Sequence, residues 1–425
     1  MENKKSLRYF YILWSTQSLS QLGSAITSFA LTLWLYEEAG SALSTAMLRI
    51  CTYAPYVLMS IFAGALTDRA DKKKIMLVSD LIAAVMTVMV YALYKTDTLC
   101  VWHLYLINAA SGLMNTVQQP ASEVAYTMVV PKEHYQRASG MQSLSRSLIA
   151  IGSPVLAAAV YGLAGLDAAV AVDLITFAIA FTALAVYVKI PEIPDRGSAE
   201  ESVLKLAKEG IMFLKENRMI LDVIVFMSGV NFVASAFDAA LPAYIIPAEN
   251  GGNAVLGIVT SCSGIAMAAG SMIAAAKPAP KSRAKEIYLT MLFSLGTENY
   301  LLAFSRSPVV WCIGQILGWI FVPVMAADQD VIMRGSIPAR LQGRVYACRN
   351  TLQFFTIPIG LIAGGSLIDH VCEPLMEDAG GILRILFGSG KGSGAALMLF
   401  ILGVIGTVMC LVFGQKLKKY DSTDK

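Results

Sequence analysis

The sequence predicts an all-α polytopic membrane protein with twelve transmembrane helices, and three observations carry that expectation. First, 56% of the 425 residues are hydrophobic and only 15% are charged, whereas a soluble globular chain carries about 25% charged residues. Second, apolar runs of ~20 residues recur along the whole length, each sufficient to cross a hydrocarbon core of ~30 Å. Backbone amides in lipid find no water, so these runs must satisfy their hydrogen bonds internally as helices. Third, the basic residues fall almost entirely on one side of the arrangement that results.

The first half contains the spans Tyr9–Tyr36, Ser44–Leu66, Ile75–Tyr94, Trp102–Val130, Tyr135–Ala164 and Ala168–Val188. Pro120 and Pro154 interrupt the fourth and fifth, where each removes one backbone donor. The second half contributes Met219–Ile246, Ala254–Ala276, Ile287–Phe304, Val309–Met333, Gln342–Ile368 and Gly394–Phe413. With the N-terminus placed inside, 26 of the 33 Lys and Arg residues lie in cytoplasmic segments. Four (Lys95, Arg306, Arg384, Lys391) lie outside and three (Arg49, Arg146, Arg349) within spans. That asymmetry places both termini in the cytoplasm. Lys4, Lys5 and Arg8 precede a first span with one polar side and no clear small-residue cleavage site, so it is expected to remain as a helix.

Between the sixth and seventh spans, Pro191 to Arg218 is polar. Ser198 and Glu201 have capping-box spacing, and Val203, Leu206, Ile211 and Leu214 form an apolar stripe. This segment reads as a linker carrying an amphipathic helix on the inner membrane surface. It divides the chain into residues 1–190, the linker 191–218, and residues 219–425. The halves repeat at an offset of about 207: "VPKEHYQR" matches "IPARLQGR", Glu123 matches Asp330, and Gly64 matches Gly270 within one residue.

Composition excludes several classes. Seven scattered cysteines without a CxxC pair and three separated histidines offer no metal site. The formal charge of +3 is the sum of the loop residues and indicates no nucleic-acid partner. "LFGSGKGSG", Leu386 to Gly394, lacks the hydroxyl residue after Lys391 that a phosphate loop requires. It reads as a flexible or membrane-dipping lead into the last span. No catalytic carboxylate pair or nucleophile triad is visible, so a membrane enzyme or a sensor is a remote alternative.

The loop after the second span, "GALTDRADKKK", carries the most specific motif. Gly64, Leu66, Asp68 and Arg69, followed by the basic Lys72 and Lys73, match the pattern G-x-L-A-D-R-x-G-R-[RK], with Asp71 replacing its second glycine. In this the chain resembles the major facilitator superfamily. "AGSALS", "DRADKKKIM", "VPKEHYQRASG", "AVDLITF" and "LQGRVYA" further resemble its drug:proton antiporter branch, which contains macrolide-efflux and enterobactin-export proteins. Two departures stand out: the fourth span lacks an arginine, and the fifth has "SPVLAA" where antiporters carry GPxxGG. The resemblance implies two six-helix bundles related by a pseudo-two-fold axis and alternating access. It also implies a cytoplasmic latch in which Gly64 permits close approach and Asp68 holds the neighbouring half, with Arg69, Lys72 and Lys73 beside it.

Candidate site residues follow from polar groups inside spans. Gln17, Gln21, Ser24 and Ser28 share one helical face of span 1, and Ser228, Asn231, Ser235 and Asp238 one face of span 7. Subtracting 207 from the first three of the second set returns 21, 24 and 28, so the stripes superpose in the repeat and are expected to line a substrate cavity. A charge inside a span costs about 2.5–3.5 kcal/mol on insertion scales and needs a reason. Asp238 is the first candidate for a proton-coupling acid, Arg49 its partner or an outer-gate residue, and Glu298 the second candidate. Glu123, Asp328 and Asp330, with Arg137 and Arg344, are expected to form inner-gate salt bridges. Asp173 reads as structural, and Arg146 and Arg349 as sites for an anion or an acidic neighbour.

The expected function is proton-driven export of hydrophobic or amphipathic, macrolide- or drug-like compounds from a bacterial plasma membrane. No cofactor is expected beyond the proton gradient; the partners are the bilayer, protons and the small-molecule substrate, and the chain is expected to act as a monomer. The alternative is a dedicated exporter of a siderophore, peptide or lipid, with Arg49, Arg146 or Arg349 anchoring an anion.

Overall fold

A computed structural model describes residues 2–69, 71–130, 135–190, 203–278, 280–338, 341–378 and 380–421. Every regular element among them is helical. Seven helical stretches are long and apolar enough to cross a membrane by length and composition. The polar residues of the first, fourth and ninth spans lower the mean hydropathy of those helices, which are not among the seven.

The described residues of the first unit fall within Met1–Ala39 and Cys51–Ala199. Its helices are α1 (Glu2–Ala39), most of α2 (Ala42–Arg69), α3 (Lys72–Lys95), α4 (Val101–Val129) and α5 (Tyr135–Thr182), which ends in a π turn at Ala183–Tyr187. α5 contains both the fifth and the sixth span. Gly165, at φ 67°, breaks it where the sequence predicts a turn; the left-handed region suits a residue without Cβ. One end of this unit packs around Phe10, Leu13, Met76, Ala125, Tyr126 and Leu184. Trp14 Nε1 donates to the Met141 carbonyl at 3.1 Å, anchoring α1 to α5.

Asp71 is the N-cap of α3, its carboxylate accepting the amides of Lys73 (2.9 Å) and Lys74 (3.2 Å). An aspartate at this position therefore has a local purpose where the family pattern has glycine. Lys73 Nζ donates to the carbonyls of Ala185 and Val188 at the end of the π turn. A cation at a helix C-terminus satisfies orphan carbonyls and the dipole together.

The described residues of the second unit fall within Gly40–Ile50 and Glu200–Lys425. After α6 (Val203–Glu216) come α7 (Arg218–Ile245), α8 (Asn253–Ala276) and α9 (Arg283–Phe304). The tenth span is split into α10 (Pro308–Trp319) and α11 (Val322–Ser336), with Pro323 in the first turn after the break. The eleventh is α12 (Gln342–Phe354) and α13 (Thr356–Leu367), a π turn at Ile368–Cys372 and α14 (Glu373–Glu377), so it runs nine residues beyond the predicted end at Ile368. The short α15 (Ile382–Phe387) and the last span, α16 (Ser393–Asp421), complete the unit.

One expectation needs correction here. Leu214 of α6 is 1% exposed and packs with Met333, Ile337, Val345 and Cys348, so part of the apolar stripe faces protein rather than lipid. Ile211 and Met212 of the same helix stay exposed. The capping-box pair expected before it, Ser198 and Glu201, lies outside the described residues. In the glycine-rich lead into α16, Gly388, Gly390 and Gly392 all have positive φ, and Glu373 accepts the Gly392 amide at 2.9 Å.

Candidate functional site

In the second unit, Arg49 Nη1 lies 2.6 Å from Asp238 Oδ2, each side chain 38% exposed. The sequence offers this pairing as one of two readings of Arg49; the structure brings that residue of α2 onto α7. Further down, Glu298 is 5% exposed between α9 and α10. Trp319 Nε1 donates to its Oε1 at 3.0 Å, and a Cβ at Gly318 would strike the carboxylate. Glu298 thus sits on a helix crossing that only glycine opens, within electrostatic reach of Asp238.

The polar stripe of α7 meets the eleventh span. Ser228 donates to Thr356 Oγ1 at 3.4 Å, and Thr356 returns a bond to the Ser228 carbonyl at 2.7 Å. Asn231 Nδ2 donates to the Gln353 carbonyl at 2.9 Å, and Ser235 Oγ to the Asn231 carbonyl at 2.6 Å. A Cβ at Gly360 would meet the Phe232 carbonyl and Ser235. Ser228 and Asn231 therefore bond α7 to the eleventh span, while Ser235 bonds within α7 and packs against Gly360. Small and hydroxyl residues hold membrane helices together in this way because apolar attraction is absent in lipid.

In the first unit the stripe of α1 divides. Gln17 is 3% exposed and donates to Asp80 Oδ2 at 3.2 Å, while Gln118 Nε2 donates to Oδ1 of the same carboxylate. Ser24 donates to Asp173 Oδ1 at 2.8 Å, and Thr87 to Oδ2 at 3.0 Å. Gln21 and Ser28 are exposed on the same helix. Gln17 and Ser24 are thus interhelical contacts, and Asp173 is structural, as its position suggested. Sequence reasoning missed Asp80; the rule applied to Asp238 and Glu298, that an acid inside an apolar run needs a reason, identifies it too.

Two of the acids expected at the inner gate have cationic partners among the described residues. Asp328 accepts from Arg283 Nη1 at 2.6 Å, and Asp330 lies 3.7 Å from Arg349 Nη1. Arg349 Nε also donates to Gln353 Oε1 at 3.2 Å. The arginines come from α9 and α12, which reach these acids across helices, whereas sequence proximity points to Arg344. The side chains of Gly64, Asp68, Arg69, Glu123, Arg137 and Arg344 lie outside those described. Of the expected latch, Lys72 is buried, and Lys73 donates to the carbonyls at the end of the π turn. Arg146 is exposed on α5. Among the described residues no group of His, Cys, Asp and Glu could hold a metal ion.

Long apolar helices interrupted by proline and packed through glycine-mediated crossings belong to a multi-pass membrane protein. The Major Facilitator Superfamily profile matches residues 13–361, and the chain belongs to that family. Macrolide efflux protein A of Streptococcus pyogenes is 26% identical over 367 residues, 85% of this chain and 90% of that protein. The multidrug efflux pump Tap of Mycolicibacterium fortuitum is 23% identical over 360 residues, 82% of this chain and 86% of that one. Among solved structures, a bacterial homologue of the human lysosomal transporter Spinster, inward-facing and unoccupied, superposes with a TM-score of 0.74. It is 13% identical and covers 99% of this chain and 98% of that one, a likeness of fold.

Proposed function

We propose that this transporter exports hydrophobic or amphipathic, macrolide- or drug-like compounds from the bacterial cytoplasm by alternating access, driven by protons entering in exchange. The observation that carries this reading is the Asp238–Arg49 pair within the span region, an acid whose charge a proton could cancel. The names of the efflux relatives support the substrate class. Both termini lie in the cytoplasm on this reading, the plasma membrane is its site, no cofactor or enzymatic activity is involved, and export would confer resistance. The chain acts as a monomer.

The mechanism follows from charge and solvation. With Asp238 ionised, the ion pair holds α2 to α7; protonation cancels one charge and leaves a single, weaker hydrogen bond. A proton taken from the outside would thus loosen this contact, and its release inside would reset it. The test is uptake into inside-out vesicles carrying a pH gradient, against a panel of macrolides, dyes and siderophores, with wild type beside Asp238→Asn. Uptake that collapses with an uncoupler and in the variant supports the reading. Gradient-driven uptake surviving the substitution moves coupling to Glu298. Gradient-independent uptake overturns proton coupling altogether.

A further inference from the structure

We propose that Cys262 of α8 and Cys312 of α10 form a dithiol modification site, closed to a disulfide within the membrane by a neutral, lipid-soluble halogen oxidant. Both residues belong to the second unit, and the proposal stands or falls without the transport reading above.

Three observations carry it. First, the side chains meet: the Cys262 and Cys312 thiols are hydrogen-bonded to each other, and neither is in a disulfide. Second, the helices that carry them run parallel and in register. A Cβ on Gly270 of α8 would strike the Ile320 carbonyl at the end of α10. Cys262 with Cys312 and Gly270 with Ile320 share one offset of 50 positions, so two contacts fix the same alignment. Along α8 the row Cys262, Ala266 and Gly270 has i, i+4 spacing, the ridge along which neighbouring helices pack. Its small side chains let α10 come close, and Ala266 is 1% exposed. Third, the pair is open to lipid, because both cysteines are only half-buried. Exposed Ile258 and Ile265 flank Cys262 at helical spacing, and exposed Val309 flanks Cys312.

The chemistry follows from this arrangement. Two thiols in contact reach bonding distance by rotation about their Cα–Cβ bonds, without displacing either helix. With molecular iodine as the oxidant, one sulfur takes an iodine atom and its hydrogen leaves as hydrogen iodide. The second sulfur then displaces iodide from the first and loses its own proton, forming the S–S bond. The pair gives up two electrons, and iodine is reduced to two iodide ions. A hypohalous acid follows the same course, with water released in the first step. Lipid holds little water, so the sulfenyl halide meets the neighbouring thiol before it can hydrolyse and climb the oxidation ladder. The bond staples α8 to α10 and closes a loop of 50 positions in the chain.

The test needs no substrate. Wild-type protein in its membranes is treated with iodine, blocked with N-ethylmaleimide, and cut with trypsin between α8 and α9, where Lys281 is exposed. The fragments carrying Cys262 and Cys312 should stay joined on a non-reducing gel and part with dithiothreitol. Peptide mass mapping should find these two cysteines linked, with both maleimide labels lost together. Fragments that part without reductant, or loss of one label alone, overturn the site. Cys312→Ala supplies a second measurement, because it leaves the half-buried Cys262 without a partner. There Cys262 should end carrying oxygen under the same treatment, whereas in the wild type it should not. Equal oxygen uptake by Cys262 in the two proteins overturns the proposal.

Discussion

Glu298 shows how much a single buried polar group can demand. The Trp319 indole donates to it at 3.0 Å, and the carboxylate fills the space left by Gly318. Glu298→Leu would strand the indole N–H away from water, at a cost of about 1–3 kcal/mol. We expect a drop of several degrees in thermal unfolding of the detergent-purified protein. Glu298→Gln keeps an acceptor for Trp319 and should unfold within about 1 kcal/mol of wild type. That variant then separates roles: unaltered gradient-driven uptake leaves Glu298 a structural residue, and its loss makes Glu298 a coupling acid. At this scale the sequence showed which residues are anomalous. It offered Arg49 as one possible partner of Asp238, 189 positions away, but gave no sign that Ser41 meets Asp369 across 328.

At the scale of elements, close helix approach depends on a few glycines with opposite tolerances. A Cβ on Gly270 of α8 would collide with the Ile320 carbonyl, at the break between α10 and α11. Backbone cannot rotate aside as a side chain can, so Gly270→Ala should cost about 1–3 kcal/mol through overpacking. Gly335, near the end of α11, has open space where a Cβ would stand, with nothing within 4 Å. Gly335→Ala should be neutral or stabilise by up to about 1 kcal/mol, since alanine loses less backbone entropy in a helix. Parallel melts of the two variants check this, and equal shifts would contradict the packing described. Asp173 belongs to the same scale: Asp173→Ala leaves the Ser24 and Thr87 hydroxyls without their acceptor and should loosen α1 and α3 from α5. About 1–3 kcal/mol of lost stability is expected, read by the same melts.

For the whole molecule, the sidedness of the chain is the testable quantity. Lys281 and Lys391 are both exposed, one in an expected inner loop and one in an expected outer loop. In intact cells lacking Cys100, Lys391→Cys should react with an impermeant maleimide, while Lys281→Cys should react only after permeabilisation. The reverse pattern would invert the topology and with it the direction of transport. Within each unit the polar contacts are distributed differently. Among the described residues, amides and hydroxyls gather around Asp80 and Asp173 in the first unit beside the Lys95–Asp167 pair, and charge pairs stand at Asp222, Asp238 and Asp328 in the second.

The bilayer explains what the sequence alone determined. A ~30 Å apolar solvent imposes its demand on each segment separately, so helix number, type and approximate ends are written locally in hydropathy and basic residues. The same holds for the turn at Gly165, which its own backbone requires. Partner choice has no such local code. Ser228, Asn231 and Ser235 present the same polar stripe whether they line a path or join α7 to the eleventh span. Asp369 reads as an ordinary acid at the end of a span. Only tertiary structure showed that Ser228 and Asn231 bond to the eleventh span and that Asp369 caps α2, because such contacts form where glycine and alanine let the backbones approach.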